Sequence, residues 1–403
     1  MKSGQWLRGL LVGLVGLVAL AVSVPASAAV TLFDKDGMTV STDAFFNTFY
    51  VYSSSDKDDE MVERLGIDDR DQSRVKMGFL PNYIGFNFSK KLDNMTVGGR
   101  SSFWVTINDN GKDETATETG IDVRQFYGTV DGDWGQVLIG KDFGLFCRSN
   151  IFLDEILQGY GNVSDTLALI DGAGVSLGNI GTGYVYPLPN AQITYRSPVM
   201  AGFRLAIGIV DPARTSDFSD EAVVAPEEEA PQFQGELTYL YSFDKGSVTA
   251  WVGFLQQTSE DSNNDIEVDS EGISYGIQAK YAGLTLHASG YDASGVGFVL
   301  GPNVSGKAVV DSFGDEVDSR GYLLQAAYTT GPHRLVASYG KSELDNKIET
   351  GNEDWENETV TGAYFYTFND YLKVVAEYNV NKLSIEKAEE KTDTIALGAI
   401  ISF

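Results

Sequence analysis

The chain has 403 residues, with 29 Lys+Arg against 57 Asp+Glu and a formal net charge of −28 at pH 7. So acidic a chain is a poor partner for nucleic acid, because phosphate binding draws on a basic face, and its single cysteine, Cys147, excludes a disulfide framework within the chain. A composition with 44 Gly, 20 Tyr, 22 Phe and only 10 Pro is poor for helices and good for half-exposed strands.

The first segment stands apart from the fold. Lys2 and Arg8 give a positive start, Leu10–Val24 is an apolar run of signal-peptide length, and Ala26-Ser27-Ala28 fits a small-residue cleavage site. The run is short for a membrane span of about 20 residues and lacks a charged stop-transfer flank. Residues 1–28 therefore read as a signal peptide, and 29–403 as one domain, since no linker divides them. Loss of Lys2 and Arg8 takes the remainder to −30.

From Met38 a rhythm sets in: an alternating segment, a tight turn, another alternating segment, then a charged loop. The first strand is expected over Thr39–Tyr52, followed by an acidic loop, Asp56–Asp71. Arg74–Leu92 and Met95–Ile107 form a pair around Asp93-Asn94, with Arg100, Ser102 and Thr106 on the polar face of the second. Ile121–Val130 and Trp134–Lys141 follow. Later pairs are clearer: Ile273, Tyr275, Ile277, Ala279 and Tyr281 alternate with Ser274, Gly276, Gln278 and Lys280. Long polar loops are expected at Asp211–Gln232, Thr258–Ser270, Ala293–Ser319 and Glu343–Asn357. By default these are solvated loops; carboxylates gathered on one rim could also bind divalent ions that bridge anionic lipid.

About sixteen alternating segments, with short turns at one end and long loops at the other, fit a transmembrane antiparallel β-barrel. A soluble barrel of that width would leave an interior too large for side chains to fill. An inverted barrel, apolar outside and polar inside, avoids the problem.

One stretch breaks the rhythm. Lys141–Gln192 shows no strand-length alternation, where connections usually run about 4–6 residues. It carries Phe143, Leu145, Phe146, Ile151, Phe152 and Leu153, too apolar for a linker. It also carries four acids, Asp154, Glu155, Asp165 and Asp171. A loop both apolar and acidic needs a partly buried place, and the inside of a wide barrel offers one.

The last strand places Ile395, Leu397, Ala399, Ile401 and the terminal Phe403 on one face. An aromatic end on such a strand looks like the assembly signal of Gram-negative outer-membrane proteins, and this strand must meet the first to leave no unpaired edge in lipid. Ser73-Arg74-Val75-Lys76-Met77-Gly78-Phe79, Val123-Arg124-Gln125-Phe126-Tyr127-Gly128, Gly140-Lys141-Asp142-Phe143-Gly144 and Thr194-Tyr195-Arg196-Ser197-Pro198 occur in the order and spacing of matching stretches in another set of proteins. Over its length beyond the signal the chain resembles the general diffusion porins. The resemblance implies sixteen strands, a trimer, residence in the outer membrane with lipid and lipopolysaccharide around it, and a third loop folded into the pore. It further implies a constriction where loop acids face basic wall residues: Arg74 and Arg124 on the wall, with Lys76 and Arg100 secondary, against Asp154 and Glu155, with Asp165 and Asp171 as further loop acids. The sequence departs from the family pattern in two places. The loop lacks a Pro-Glu-Phe-Gly-Gly signature, and Asp43 stands where relatives carry a Lys.

Catalytic chemistry is hard to find. The two histidines, His287 and His333, sit in no recognisable spacing, and neither a phosphate-cradling loop nor a paired-cysteine metal motif appears. No cofactor is called for. The expected function is passive, mildly cation-preferring diffusion of small hydrophilic solutes and ions; the alternatives are a substrate-selective porin, with Phe143, Tyr160 and Tyr184 as a stacking path, or a structural or adhesive barrel.

Overall fold

The computed structural model describes residues 29–403 except 110–120, 172–173, 213–214, 218–225, 228–229, 262–265, 298–307, 311–314 and 349–350. The signal segment, the Glu228-Glu229 part of one acidic run and parts of the long loops lie outside the described residues.

Sixteen antiparallel strands close into a barrel. In chain order they are β1 Met38–Lys57, β2 in two pieces, Arg70–Lys76 and Asn82–Lys91, β3 Thr96–Val105, β4 Ile121–Gly132 and β5 Gly135–Phe143. After the long loop come β6 Pro189–Arg196, β7 Phe203–Val210, β8 Gln232–Phe243, β9 Gly246–Asp261, β10 Ile266–Tyr281 and β11 Leu284–Ser294. The last five are β12 Asp318–Thr330, β13 His333–Asp345, β14 Trp355–Thr367, β15 Leu372–Ile385 and β16 Ala388–Ser402. Each pairs with its sequence neighbour. β16 closes the ring on β1, from Ser402 opposite Phe45 to Glu390 opposite Lys57. A short strand, Val30–Lys35, folds back on Met38–Thr42 and continues the line of β16.

Burial is inverted relative to a soluble protein. Along β10, Ile273, Tyr275 and Ile277 are 44–49% exposed while Ser274 and Gln278 are at most 2% exposed. Period-two alternation puts apolar side chains towards lipid and polar ones towards the lumen. Tyr241, Phe243, Tyr281, Tyr328 and Tyr371 stand exposed near the short turns, where an aromatic girdle meets the membrane boundary. Those turns are tight: between β10 and β11, Ala282 and Gly283 take φ of 48° and 92°, the left-handed pair that suits a two-residue hairpin.

Three of the stretches that differ from expectation show why. Arg74–Leu92 is not one strand. It starts four residues earlier, at Arg70, and breaks at Met77–Pro81. Pro81 has no N–H for the ladder, and Asn47 holds the gap from β1: its amide donates to Leu80 O (2.8 Å) and its Oδ1 accepts from Gly78 N (2.5 Å). Asp56–Asp71 is not simply a loop. β1 runs on to Lys57, and α1, Asp59–Leu65, follows with the Asp58 carboxylate accepting from Met61 N at 2.7 Å and Gly66 at φ 67° ending it. Thr258–Ser270 is mostly hairpin, because β9 and β10 pair outward as far as Asp261 and Ile266.

Candidate functional site

The segment 144–188 lies inside the barrel. Its backbone finds partners on inward-facing side chains right round the wall, as a buried loop must. Leu145 N and Phe146 N donate to Gln234 of β8, at 2.6 and 3.0 Å. Cys147 N reaches Ser274 of β10 at 3.2 Å, and Glu155 N reaches Gln325 of β12 at 2.8 Å. Further round, Tyr160 N and Gly161 N share the Glu377 carboxylate of β15 (2.9 and 2.6 Å), and Asp165 N and Thr166 N share that of Glu390 of β16 (2.6 and 2.9 Å). On the return, Gly183 N donates to Ser342 of β13 at 2.9 Å. A Cβ on Gly340 of that strand would stand 1.9 Å from Thr182 O, so only glycine lets the backbones approach this closely. Apolar side chains of the segment, among them Ile156, Leu157, Tyr160 and Leu177, join Phe49 and Phe79 of the wall in one core.

The acids of the segment divide by environment. Asp154 is 6% exposed and accepts four hydrogen bonds, from Gln325 (2.6 Å), Tyr184 OH (2.7 Å), Ile156 N (2.9 Å) and Asn179 (2.9 Å). Burial pushes its carboxyl up from the ordinary value, against the pull of those donors. Glu155 is equally enclosed, bonded to Gln278 at 2.8 Å and ion-paired with Arg334 of β13. Neither contacts Arg74 or Arg124, so the opposition expected from the sequence takes another form.

It forms instead at the outer end of β1 and β2. Asp165 pairs with Arg70 and, at 2.9 Å, with Lys57. Desolvation raises the Asp165 carboxyl, but hydrogen bonds and charge from Arg70 and Lys57 outweigh it and hold the group below its ordinary value. Asp171 pairs with Arg70 and stands 3.9 Å from Arg74. At 45% side-chain exposure, with Arg74 at 29%, these two face water. Lys76 lies behind them, 1% exposed, donating to Leu169 O at 2.7 Å; it holds the segment and does not line a pore.

The remaining wall candidates have partners of their own. Arg100 forks onto Asp43 at 2.7 and 3.0 Å, so the acid that stands in a basic family position is neutralised there. Arg124 bonds Asp122 (2.7 Å) and Tyr186 OH (2.9 Å) and lies 5.2 Å over the Trp104 ring. Sequence reading passed over Lys57 and Arg70, which lay in an assumed loop. It also passed over Arg148 and Arg196, which share Asp142 at 3.3 Å each. Alternation on β6 put Arg196 on the inward face with Thr194; Arg148 gave no periodic signal. Among the described residues no group of three or more His, Cys, Asp or Glu could hold a metal ion.

A closed, inverted sixteen-strand barrel with a folded segment in its lumen is an outer-membrane channel architecture, and the chain belongs to the Gram-negative porin family, whose model matches residues 15–385. Its sequence is 24% identical over 378 residues to outer membrane protein U of Vibrio parahaemolyticus, covering 91% of this chain and 89% of that protein. The outer membrane channel DcaP of Acinetobacter baumannii superposes with a TM-score of 0.63 at 17% identity, covering 93% of this chain and all of that one (100%). An anion-selective porin from Comamonas acidovorans gives 0.61 at 15% identity, covering 91% and 100%. The protein is an outer-membrane porin, and its architecture is that of a channel rather than an enzyme.

Proposed function

We propose that the protein is a passive, water-filled channel for small hydrophilic solutes and ions, narrowed by segment 144–188 and mildly cation-preferring. The observation that carries this is the exposure of Asp171 beside Arg70 and Arg74: charged groups stand in water on the inner segment and on the wall it faces. Selection then rests on size and charge at the narrowing, with no bond made or broken. Asp171 is the loop acid of the constriction; Arg70 and Arg74 are its wall cations. Arg100 and Arg124 contribute less field, since Asp43 and Asp122 accompany them.

The sign of selectivity comes from the chain's own charge. Wall cations and loop acids pair off inside, so the excess of carboxylates in a chain of net charge −28 falls mainly on the outer mouth. There it raises cation concentration within a Debye length of about 8 Å at physiological salt. Recording in planar bilayers tests this reading. Discrete conductance steps are expected, with a K⁺-over-Cl⁻ permeability ratio above one that declines as salt rises. An anion-selective reversal potential overturns the cation preference; absence of conductance overturns the channel and favours a structural or adhesive barrel.

A homotrimer suits the outer wall. Thr48, Val374, Ala376, Leu397 and Ala399 line a shallow hollow of about 520 Å³ on the lipid side where β15, β16 and β1 meet. Ala376 and Ala399 leave room beside the Tyr364 ring for side chains of a second barrel. Lipid and lipopolysaccharide would cover the remaining outer face.

A further inference from the structure

The lumen carries opposite charge on the two sides of segment 144–188. At the short-turn end, cations stand at strand ends. Arg196 closes β6, Arg204 is second in β7, Lys280 is second from last in β10, Arg334 is second in β13 and Lys373 is second in β15. Alternation turns each of them inward. Arg204 stands two residues before buried Ala206, and Lys280 two after buried Gln278. Arg334 and Lys373 reach the segment itself, at Glu155 and at Gln158 Oε1 (3.1 Å). One acid, Asp131, holds a matching place on β4, where it accepts from the Gln136 amide at 2.6 Å.

The segment does not cancel this charge. Its Arg148 adds a cation, and Arg148 and Arg196 lean on one oxygen, Asp142 Oδ2, at 3.3 Å each. Arg204 Nε is buried with no hydrogen-bond partner among the described residues, and Lys280 is exposed. Glu236 is buried behind the segment, accepting from Ser149 N at 3.0 Å; even with it, cations outnumber acids on this wall. Asp93, Asp244 and Asp370 on the short turns are exposed, and salt screens charges in open water. Inward groups act more strongly, because low-dielectric walls focus their field.

The long-loop end has the reverse sign. At the outer end of β1, α1 exposes Asp59, Glu60 and Glu63 against Arg64, which Glu353 accompanies. Asp68 and Asp69 follow, also exposed.

We infer that the channel rectifies: it carries more current when the long-loop side is positive than when it is negative. In the first polarity cations enter by the acidic mouth and anions by the basic one, so both accumulate in the narrowing. In the second, each ion must enter by the mouth that repels it, and the narrowing is depleted. Without a driving force the fixed charges produce no net flux. The inference rests on the channel reading, since only a conducting pore can rectify.

Single-channel currents at equal voltages of opposite sign provide the test. All proteins carry Lys387→Cys, at the exposed turn between β15 and β16 on the long-loop side. An uncharged maleimide polymer too large to pass the pore, added after recording, steps the current only from that side and so gives the orientation. The current ratio should be roughly 1.5 or more in about 0.1 M KCl, where the Debye length is about 10 Å, and fall to about one near 1 M, where it is about 3 Å. Arg204→Gln with Lys280→Gln, neither of which holds the segment, should at least halve the excess over one. Arg204→Glu with Lys280→Glu should abolish it. Migration of unboiled samples shows that each variant is folded. A low-salt ratio of one or below overturns the inference, as does a ratio unchanged in folded variants. So does one that persists near 1 M, which would assign it to pore shape. Absence of conductance overturns the channel reading as well; steady conductance without rectification overturns this inference alone.

Discussion

Asp154 and Asp171 sit seventeen positions apart on one segment and do different work because water reaches only one of them. Asp154 is enclosed by four donors, so its charge is spent on packing. Asp154→Asn removes one acceptor oxygen and should lower stability by about 1–3 kcal/mol, seen as an earlier thermal transition, while the K⁺-over-Cl⁻ ratio holds. Asp171→Asn should do the opposite, lowering the ratio with little change in stability. A drop in selectivity on changing Asp154 would show that it faces the pore after all. Acid response follows the same division. Asp165 has a depressed carboxyl, so its ties to Lys57 and Arg70 are fully present above the ordinary value near 3.8 and are lost as pH falls through the lower native one. Asp154 is raised, so acidification favours its buried form. The part of the conductance that depends on these ties, read as the difference between wild type and Asp165→Asn, should therefore stay level from neutral pH down to about 4 and fade only below that. Fading that begins near pH 6 would point to another group.

At the scale of elements, the inner segment is held by wall carboxylates acting as backbone acceptors. Glu390 takes Asp165 N, Thr166 N and the Thr166 hydroxyl. Glu390→Ala strands the buried Asp165 N–H at about 1–3 kcal/mol and frees the half-buried Thr166 N–H, and open-channel current noise should rise as the segment loosens. Noise equal to wild type would assign the hold to packing alone. The barrel strands were legible because alternation is local: each reports its own two faces. The break in β2 was half legible, since Pro81 marks it, but the support from Asn47 comes from a neighbouring strand. The partners of Asp154 and Glu155 were not legible at all. Gln325 and Arg334 lie more than 150 positions further along the sequence, and which loop residue meets which wall residue depends on the path of a segment without periodicity. Family spacing drew attention to Arg74, whose partner, Asp171, proves to be the most exposed of the segment's four acids. Arg70, two alternation periods earlier on the same face, was hidden in an assumed loop.

At the scale of the whole molecule, the last strand meets the first. Phe403 N and O exchange hydrogen bonds with Ala44, at 3.1 and 2.8 Å, and its ring lies 6.4 Å from Phe46. Deletion of Phe403 should cut the folded, heat-modifiable form in outer-membrane fractions while transport across the inner membrane continues; normal outer-membrane levels would remove this role from the last residue. Unboiled gels should show heat-labile trimers, and a lone monomer band after gentle extraction and cross-linking would refute the barrel contact at β15, β16 and β1. The most direct measurement asks whether the inner segment lines the conducting path. Cys147 is 0% exposed and burial pushes its thiol up, so the wild type offers no reactive background. In Asp171→Cys, addition of a positively charged thiol reagent during single-channel recording should step the current down and lower the K⁺-over-Cl⁻ ratio, with no change in wild type. An Asp171→Cys channel that reacts in full yet conducts and selects as before would contradict a constriction built by segment 144–188.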